Sequence, residues 1–230
     1  MDFTPKSTNE MVFSNQHTKA LLEDIIQKTI SFPANGKNTL LLYGICGSGK
    51  TTYADIFFKE YERSFGGSLP YVEKVNVDGS GKITSTIEKL SRIANFVAFN
   101  ESNKHYFLFD EVDGYKPEQQ QRLKAWLNRD DVVCIMTTNH IEKIDKGLLS
   151  RCHKIEFNAA SNPNDYLNRM RHIIEDNNLP MLNERTLLRI VQLHKGDWRD
   201  ICTSLQRTCL SISKPLPLNT IPILGTTKKS

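Results

Sequence analysis

The sequence predicts an α/β protein in which a parallel sheet is flanked by helices and is followed by a small all-helical unit. Short apolar runs that are typical of buried strands alternate with helical patterns through the first two thirds of the chain. After Phe157 the strand-like runs stop, and three helical stretches follow. The 230 residues are 39% hydrophobic, which is enough to form a substantial core.

The elements of the α/β part are predicted in a regular order. The first helix covers HTKALLEDIIQKTI, where Leu22, Ile26 and Ile30 share one apolar stripe. The strand-like runs are NTLLLYG, YVEKVNV, HYFLFD, DVVCIMTT and CHKIEF, and the later helical stretches are KITSTIEKLSRIANFVAF and PEQQQRLKAWLN. Because strands and helices alternate, the connections are expected to be crossovers that make the strands parallel.

The C-terminal part is predicted to be helical. The stretch NPNDYLNRMRHIIEDNN opens with Asn162 as a cap and Pro163 at the first helical position. Two more helices are predicted at NERTLLRIVQLH and DWRDICTSLQRTCL. The predicted organisation is therefore 1–158 for the α/β domain and 159–213 for a helical lid domain. Residues 214–230, which are rich in proline and threonine, are expected to form a flexible tail.

Composition excludes several classes of protein. The net charge of +4 permits a polyanionic partner without requiring one. The five cysteines form no CxxC pair, so neither a zinc site nor a disulfide framework is predicted. No apolar run approaches the roughly 20 residues that a membrane-spanning helix needs. We expect a soluble protein that is not secreted and has no membrane partner.

The strongest chemical signal is the sequence GICGSGKT from Gly44 to Thr51, which follows a predicted strand and precedes a helix. This GxxxxGKT pattern predicts a P-loop, in which backbone N–H groups surround phosphates and Lys50 reaches the β- and γ-phosphates. A chance match in a glycine-rich turn is the alternative. The residues predicted to bind the nucleotide here are Gly44, Cys46, Gly47, Ser48, Gly49, Lys50, Thr51 and Thr52.

Two acidic residues end the strand HYFLFD and begin the next turn. Asp110 is expected beside the P-loop, where it would hold Mg²⁺ together with the hydroxyl of Thr51. Glu111 can deprotonate a water molecule that attacks the γ-phosphate, which indicates hydrolysis rather than transfer to an acceptor. The alternative is a solvated acidic turn. ATP and Mg²⁺ are the predicted ligands.

A third polar group follows the strand DVVCIMTT. Asn139 would lie at the same edge of the sheet, where its amide can orient the attacking water. Thr138 could serve instead, and an ordinary asparagine at the end of a strand is the remaining alternative. We place Asn139 among the predicted catalytic residues.

Taken in order, the P-loop, the DEVD box, the strand that ends in asparagine and the sequence LLSRC resemble AAA+ ATPases of the clamp-loader group. The nearest likeness is to replication factor C small subunits and their phage counterparts. The Ser-Arg-Cys motif of that group is present as Ser150, Arg151 and Cys152. The resemblance runs from about residue 4 to residue 210, and it identifies the predicted fold as that of AAA+ P-loop NTPases.

The resemblance assigns further roles. It implies that Arg151 acts in trans, on the ATP of a neighbouring subunit, and that Arg199 in GDWRD is a second sensor over the phosphates. It also implies that Gln120 and Lys124 couple the site to its surroundings. Residues of the first segment would line the adenine pocket, namely Met11, Val12 and Phe13.

The resemblance also implies partners. We expect self-association or assembly with related ATPase subunits, a sliding clamp or another replication protein as cargo, and DNA contacted through Ser80, Lys82 and Thr84. The alternative for these three residues is a polar helix cap on the surface. The expected location is the cytoplasm or a nuclear or viral replication site. We expect no collar domain, because no helical pattern follows the predicted lid.

Two other functions remain open. One is a minimal AAA+ regulator bound to DNA, such as a helicase loader or a transposition ATPase. The other is a monomeric P-loop kinase, which would leave Glu111 and the Ser-Arg-Cys motif without a role.

Overall fold

The computed structural model describes residues 1–77 and 83–213. Five strands form one sheet in the order β2-β3-β4-β1-β5, and every neighbouring pair is parallel. This sheet confirms the predicted α/β fold class, and each of the five predicted runs becomes one strand. The strands are β1 (Thr39–Tyr43), β2 (Val72–Asn76), β3 (His105–Asp110), β4 (Val132–Thr138) and β5 (Cys152–Glu156).

Helices cover both faces of the sheet and form the C-terminal part of the described chain. The central strand β4 is buried at every position, as expected for a parallel sheet that is covered on both sides. No helix among the described residues is long and apolar enough to cross a bilayer. The helices are α1 (Gln16–Ile26), α2 (Lys50–Arg63), α3 (Ile83–Ala94), α4 (Pro117–Trp126), α5 (Lys146–Leu149), α6 (Pro163–Asp176), α7 (Glu184–His194) and α8 (Trp198–Ser213).

Two helices are shorter than their sequence patterns predict. The first was expected to reach Ile30, but α1 ends at Ile26 because Lys28 takes a left-handed conformation with φ 64°. The second was expected to reach Phe99, but α3 ends at Ala94. Ala94 is buried, whereas Phe99 is 98% exposed, so further turns would gain no apolar contact.

The side chains of the strands alternate between two hydrophobic clusters. On one face, Leu40 and Leu42 of β1 pack with residues of α1 and α2. On the other face, Leu41 packs with residues of α3 and α4. This alternation follows from the two-residue period of a strand. The sheet is therefore held from both sides, and the carboxyl ends of its strands form one stable edge.

The three C-terminal helices share a hydrophobic cluster of their own. As predicted, α6 begins at Pro163, and the Asn162 side chain accepts a hydrogen bond from the N–H of Asn164 at 3.1 Å. Phe3 and Val12 of the N-terminal segment also pack against this cluster. The boundary between residues 158 and 159 stays a prediction, and the proposed tail 214–230 lies outside the described residues.

A buried carboxylate fixes the far end of α2, the helix that starts at the P-loop. Glu62 is only 1% exposed and accepts hydrogen bonds from the N–H of Glu101 at 2.9 Å and the hydroxyl of Ser102 at 2.7 Å. The N–H of Ser102 donates at 3.2 Å, and the Tyr106 hydroxyl donates at 2.5 Å. Burial raises the pKa of Glu62, but the hydrogen bonds from Ser102 and Tyr106 outweigh it, so the pKa lies below its ordinary value.

This arrangement predicts that Glu62 makes the free energy of unfolding sensitive to acid. A carboxylate whose pKa is lowered by folding stabilises the protein above its unfolded pKa of about 4.3, and that contribution is lost as the pH falls. Glu62→Gln removes the charge and replaces one of the two acceptor oxygens with an NH2 group, which we expect to cost about 1–3 kcal/mol at pH 7. Urea denaturation at pH values from 7 to 3 should show that the free energy of unfolding falls more steeply with decreasing pH in the wild type than in the variant. Parallel curves would contradict this role for Glu62.

Candidate nucleotide-binding and hydrolysis site

The loop from Gly44 to Gly49 joins β1 to α2 in a conformation that favours glycine. Gly44 has φ 145°, and a Cβ atom there would lie 2.4 Å from the carbonyl oxygen of Phe157. Gly49 has φ 91° and directly precedes Lys50, the first residue of α2. The positive end of the helix therefore lies directly behind the loop, which is an arrangement that binds phosphate.

The Lys50 side chain is buried and bends back over this loop. Its Nζ atom donates to the carbonyl oxygens of Gly44 at 3.1 Å and Ile45 at 2.6 Å. Burial lowers the pKa of Lys50 from its ordinary value, and the nearby Cys46 and Asp110 oppose that shift. The ammonium group thus has neutral carbonyl oxygens as partners, which phosphate oxygens can replace.

Asp110 ends β3 beside the start of α2. Its Oδ1 atom accepts hydrogen bonds from the Thr51 hydroxyl at 3.1 Å and from the Thr137 hydroxyl at 2.5 Å. A carboxylate and a hydroxyl at this separation are hard oxygen ligands of the kind that Mg²⁺ prefers. The residues present therefore fit the predicted magnesium ion.

Glu111 has a backbone conformation that is uncommon for a residue with a side chain. Its φ and ψ angles are 58° and 51°, in the left-handed region. Its N–H donates to the Thr137 hydroxyl oxygen at 3.0 Å, and its exposed side chain borders a cavity. One buried hydroxyl therefore holds both the carboxylate of Asp110 and the backbone of Glu111, which maintains the strained conformation.

A cavity of about 540 Å³ lies between the P-loop and the C-terminal helices. This volume lies within the usual range for small-molecule sites. Most of the residues predicted from the sequence meet here: the cavity is lined by Met11, Val12, Cys46, Gly47, Ser48, Gly49, Lys50, Thr51, Thr52, Asp110, Glu111, Asn139 and Arg199.

Phe13 requires a correction, because it was expected in the adenine pocket with Met11 and Val12. It does not line the cavity and is only 6% exposed. Its ring packs edge-to-face against Tyr53 at 5.4 Å and Phe157 at 5.8 Å between ring centroids. A large aromatic ring gains more from this burial than from a partly open cavity wall.

Arg151 lies away from the cavity of its own chain. Its Nε and Nη2 atoms donate to the side-chain oxygen of Asn128 at 3.0 and 2.9 Å, and its Nη1 atom donates to the carbonyl oxygen of Gly147 at 3.0 Å. Its side chain is partly exposed. Arg151 is therefore held in place by its own chain and stays separate from Lys50 and Glu111.

Gln120 and Lys124 connect α4 to the segment that leads to Arg151. The Gln120 side chain accepts from the N–H of Asp145 at 2.7 Å and donates to the carbonyl oxygen of Lys143 at 3.1 Å. Lys124 Nζ lies 3.6 Å from the Asp145 carboxylate, which also caps α5. These contacts join α4 to the segment that precedes Arg151.

The residues proposed for DNA binding are only partly described. Thr84 is exposed near the start of α3, and its hydroxyl accepts a hydrogen bond from the Arg122 guanidinium. Ser80 and Lys82 lie outside the described residues.

Several residues of the site were not found from the sequence. Thr137 has the appearance of an ordinary strand residue, and only the pairing of β3 with β4 brings it to Asp110. Arg169 lies on α6, where a charged residue usually faces solvent. Its side chain is nevertheless only 10% exposed, borders the cavity and pairs with Glu10 at 3.1 Å. Met1–Pro5 and Trp198 also line the cavity.

We expect Thr137→Val to lower ATP turnover by about 10- to 100-fold, the range seen when groups that orient metal ligands are removed. Valine has a similar shape but can hold neither Asp110 nor Glu111. Thr137→Ser should restore most of the rate. The control is Thr39→Val, since Thr39 is a buried strand residue that does not line the cavity, and its hydroxyl donates to the side-chain oxygen of Asn38 at 2.9 Å. Equal turnover in the two valine variants would contradict the prediction.

The comparisons with known proteins agree with this fold. Residues 40–159 match the ATPase family associated with various cellular activities (AAA). A comparison with curated proteins finds no match. Among solved structures, the chain is similar to PCH-2 of C. elegans with a TM-score of 0.56 and 13% identity, over 90% of this chain and 66% of that chain. A likeness at that identity shows the fold alone. Since the family match covers more than half of the 230 residues, the chain belongs to the AAA family of ATPases.

Proposed function

We propose that this chain is a clamp-loader-type ATPase that acts in DNA replication and uses ATP hydrolysis to load or remodel a partner on DNA. The observation that carries this proposal is the separation of its charged groups. Lys50, Asp110 and Glu111 border one cavity, whereas Arg151 of the Ser-Arg-Cys motif is held outside it. A site divided in this way becomes complete when a second subunit contributes its arginine.

Within the cavity, the P-loop N–H groups and Lys50 would bind the β- and γ-phosphates of ATP. Thr51 and Asp110 would hold Mg²⁺, which neutralises phosphate charge when it is bound. Glu111 would accept a proton from the attacking water, and Asn139 would orient that water. These roles lead to free phosphate as the product, and a P-loop kinase would instead place phosphate on an acceptor.

Arg151 would meet the phosphates of a neighbouring subunit and stabilise charge that develops during hydrolysis. The contacts of Gln120 with Lys143 and Asp145 support a coupling role, because they join α4 to the segment before Arg151. Arg199 would contact the phosphates from the C-terminal helices. The assembly in this proposal is a ring or arc of identical or related ATPase subunits.

A surface at the opposite edge of the sheet could hold the protein partner. We call it the apolar rim and define it as Leu69, Tyr71, Phe96, Val97 and Phe99, each between 69% and 98% exposed. Its residues precede β2 and β3, whereas the cavity lies at the carboxyl ends of the strands. Contiguous apolar patches of this kind mark interaction surfaces. Partner binding and ATP hydrolysis would thus occupy opposite ends of the same strands.

The DNA part of the proposal assigns Ser80, Lys82 and Thr84 to phosphate contacts. A net charge of only +4 implies few such contacts, so affinity for DNA should be modest and should fall with salt.

The test measures binding of the ATP-loaded protein to the sliding clamp of its replication system. We expect Phe96→Ala combined with Phe99→Ala to weaken binding by at least about tenfold, because exposed aromatic anchors carry much of an interface's energy. The control is Leu193→Ala, which removes a side chain on α7 that is 71% exposed and distant in sequence from the rim.

Two results would overturn the clamp-loader assignment. In the first result, the clamp neither binds the protein nor raises its ATPase rate, whereas a replicative helicase or a transposase does both. That result would favour the helicase-loader or transposition alternative. If radiolabelled phosphate from ATP appears on a nucleotide acceptor, the protein is a kinase.

A further inference from the structure

The P-loop contains a glycine that its sequence pattern does not require. Gly47 occupies one of the four variable positions of GxxxxGKT, and its φ is 69°. A Cβ atom at this position would lie 2.0 Å from the Oδ1 atom of Asp197. The carboxylate of a residue just before α8 therefore packs directly on the bare Cα atom of Gly47. Any side chain at residue 47 would displace it.

A hydrogen bond reinforces this contact between the P-loop and the C-terminal helices. The N–H of Trp198, the first residue of α8, donates to the carbonyl oxygen of Gly47 at 3.1 Å. The Trp198 ring stacks on Tyr166 of α6, with 5.2 Å between ring centroids and 27° between their planes. The start of α8 is thus fixed on one side by the P-loop and on the other by α6.

The carboxylate of Asp197 also determines the conformation of the first turn of α8. Its Oδ1 atom accepts hydrogen bonds from the N–H of Arg199 at 2.9 Å and of Asp200 at 3.3 Å. This is the bonding pattern of a helix N-cap, which satisfies N–H groups that have no partner within the helix. Arg199 borders the nucleotide cavity, and Asp197 does not.

From these contacts we propose that Asp197 is a positioning residue that caps α8, seats it on Gly47 and so directs Arg199 toward the phosphates of ATP. The inference rests on the proposed role of Arg199. Without the cap, the N–H groups of Arg199 and Asp200 lose their shared acceptor, and the Trp198 hydrogen bond to Gly47 remains to hold the first turn at the P-loop. Gly47 is required in this scheme to leave room for the cap, in addition to any contact with phosphate.

The test compares steady-state ATPase kinetics of Asp197→Ala, Arg199→Ala and the double variant. If Asp197 acts through Arg199, Asp197→Ala should lower kcat to within about threefold of the Arg199→Ala value. The double variant should then be no slower than Arg199→Ala alone, because residues that act as a unit are not additive. Asp197→Asn and Asp197→Ser can still cap the helix and should recover most of the rate.

A matched control separates this role from general stability. Asn183 caps α7 in the same way, accepting from the N–H of Thr186 at 2.9 Å, and does not line the cavity. Asn183→Ala should lower the melting temperature about as much as Asp197→Ala while leaving kcat unchanged.

The outcomes that overturn the proposal are distinct from those that overturn the function. If kcat is low for Arg199→Ala but is the same for Asp197→Ala as for the Asn183→Ala control, only the positioning role fails. The same holds if the double variant shows the product of the two single effects. If Arg199→Ala itself has normal kinetics, the proposed role of Arg199 fails, and the positioning role fails with it.

Discussion

Glu111→Gln is expected to bind ATP as the wild type does and to hydrolyse it at least about 100-fold more slowly, the usual effect of losing a general base. The amide keeps the size of the side chain and one oxygen, but it cannot accept the proton of the attacking water. Lys50→Ala should instead lose ATP binding, since its ammonium meets the phosphates before and during the reaction. Equilibrium binding of labelled ATP and release of free phosphate would measure the two effects separately.

The control for this pair is Glu175→Gln, which changes an exposed carboxylate on α6 that does not line the cavity. It should behave as the wild type in both assays. Assemblies held by ATP should accumulate with Glu111→Gln and not with Lys50→Ala. Normal hydrolysis by purified Glu111→Gln protein would remove Glu111 from the mechanism.

Arg151→Ala is expected to reduce hydrolysis by about 1000-fold or more if the arginine stabilises the transition state in a neighbouring subunit. Because Arg151 lies outside the cavity of its own chain, mixing two variants should show whether subunits share active sites. An equimolar mixture of Arg151→Ala and Glu111→Gln chains forms some interfaces with an intact Glu111 on one side and an intact Arg151 on the other. Hydrolysis should then partly return, although each variant alone is nearly inactive.

A dilution series on wild-type protein gives an independent test. If sites are shared, the rate per subunit should fall on dilution as subunits separate. Arginine that acts within its own chain predicts a constant rate per subunit and no recovery on mixing, and that combination would rule out the shared site.

Much of this fold could be predicted because its signals are local. Each strand is a compact apolar run between turn residues, and the P-loop combines a fixed spacing with a strand before it and a helix after it. Asp110 could be placed beside Thr51 without coordinates, since the carboxyl ends of parallel strands meet at one edge. The resemblance to clamp loaders added Arg199, which also borders the cavity.

The remaining features depend on contacts between distant parts of the chain. Met11, Val12 and Phe13 are adjacent in sequence, yet only the fold decides that Phe13 turns toward Tyr53 while its neighbours face the cavity. The helix α3 ends at Ala94, the point beyond which its side chains would no longer be buried against the rest of the protein. The contact of Asp197 with Gly47 joins residues 150 positions apart, and neither residue type indicates the other.

The strand β5 has a consequence for how subunits could influence one another. Arg151 directly precedes it, and Asn158, just beyond its other end, accepts a hydrogen bond from the N–H of Ile45 in the P-loop at 3.2 Å. Five strand residues at about 3.3 Å each span roughly 16 Å. The strand is paired with β1 along its whole length, from Cys152 to Glu156. Under the proposed shared-site mechanism, β5 would connect two active sites, with Arg151 at one end directed to the neighbour's ATP and Asn158 near the other end bonded to the chain's own P-loop.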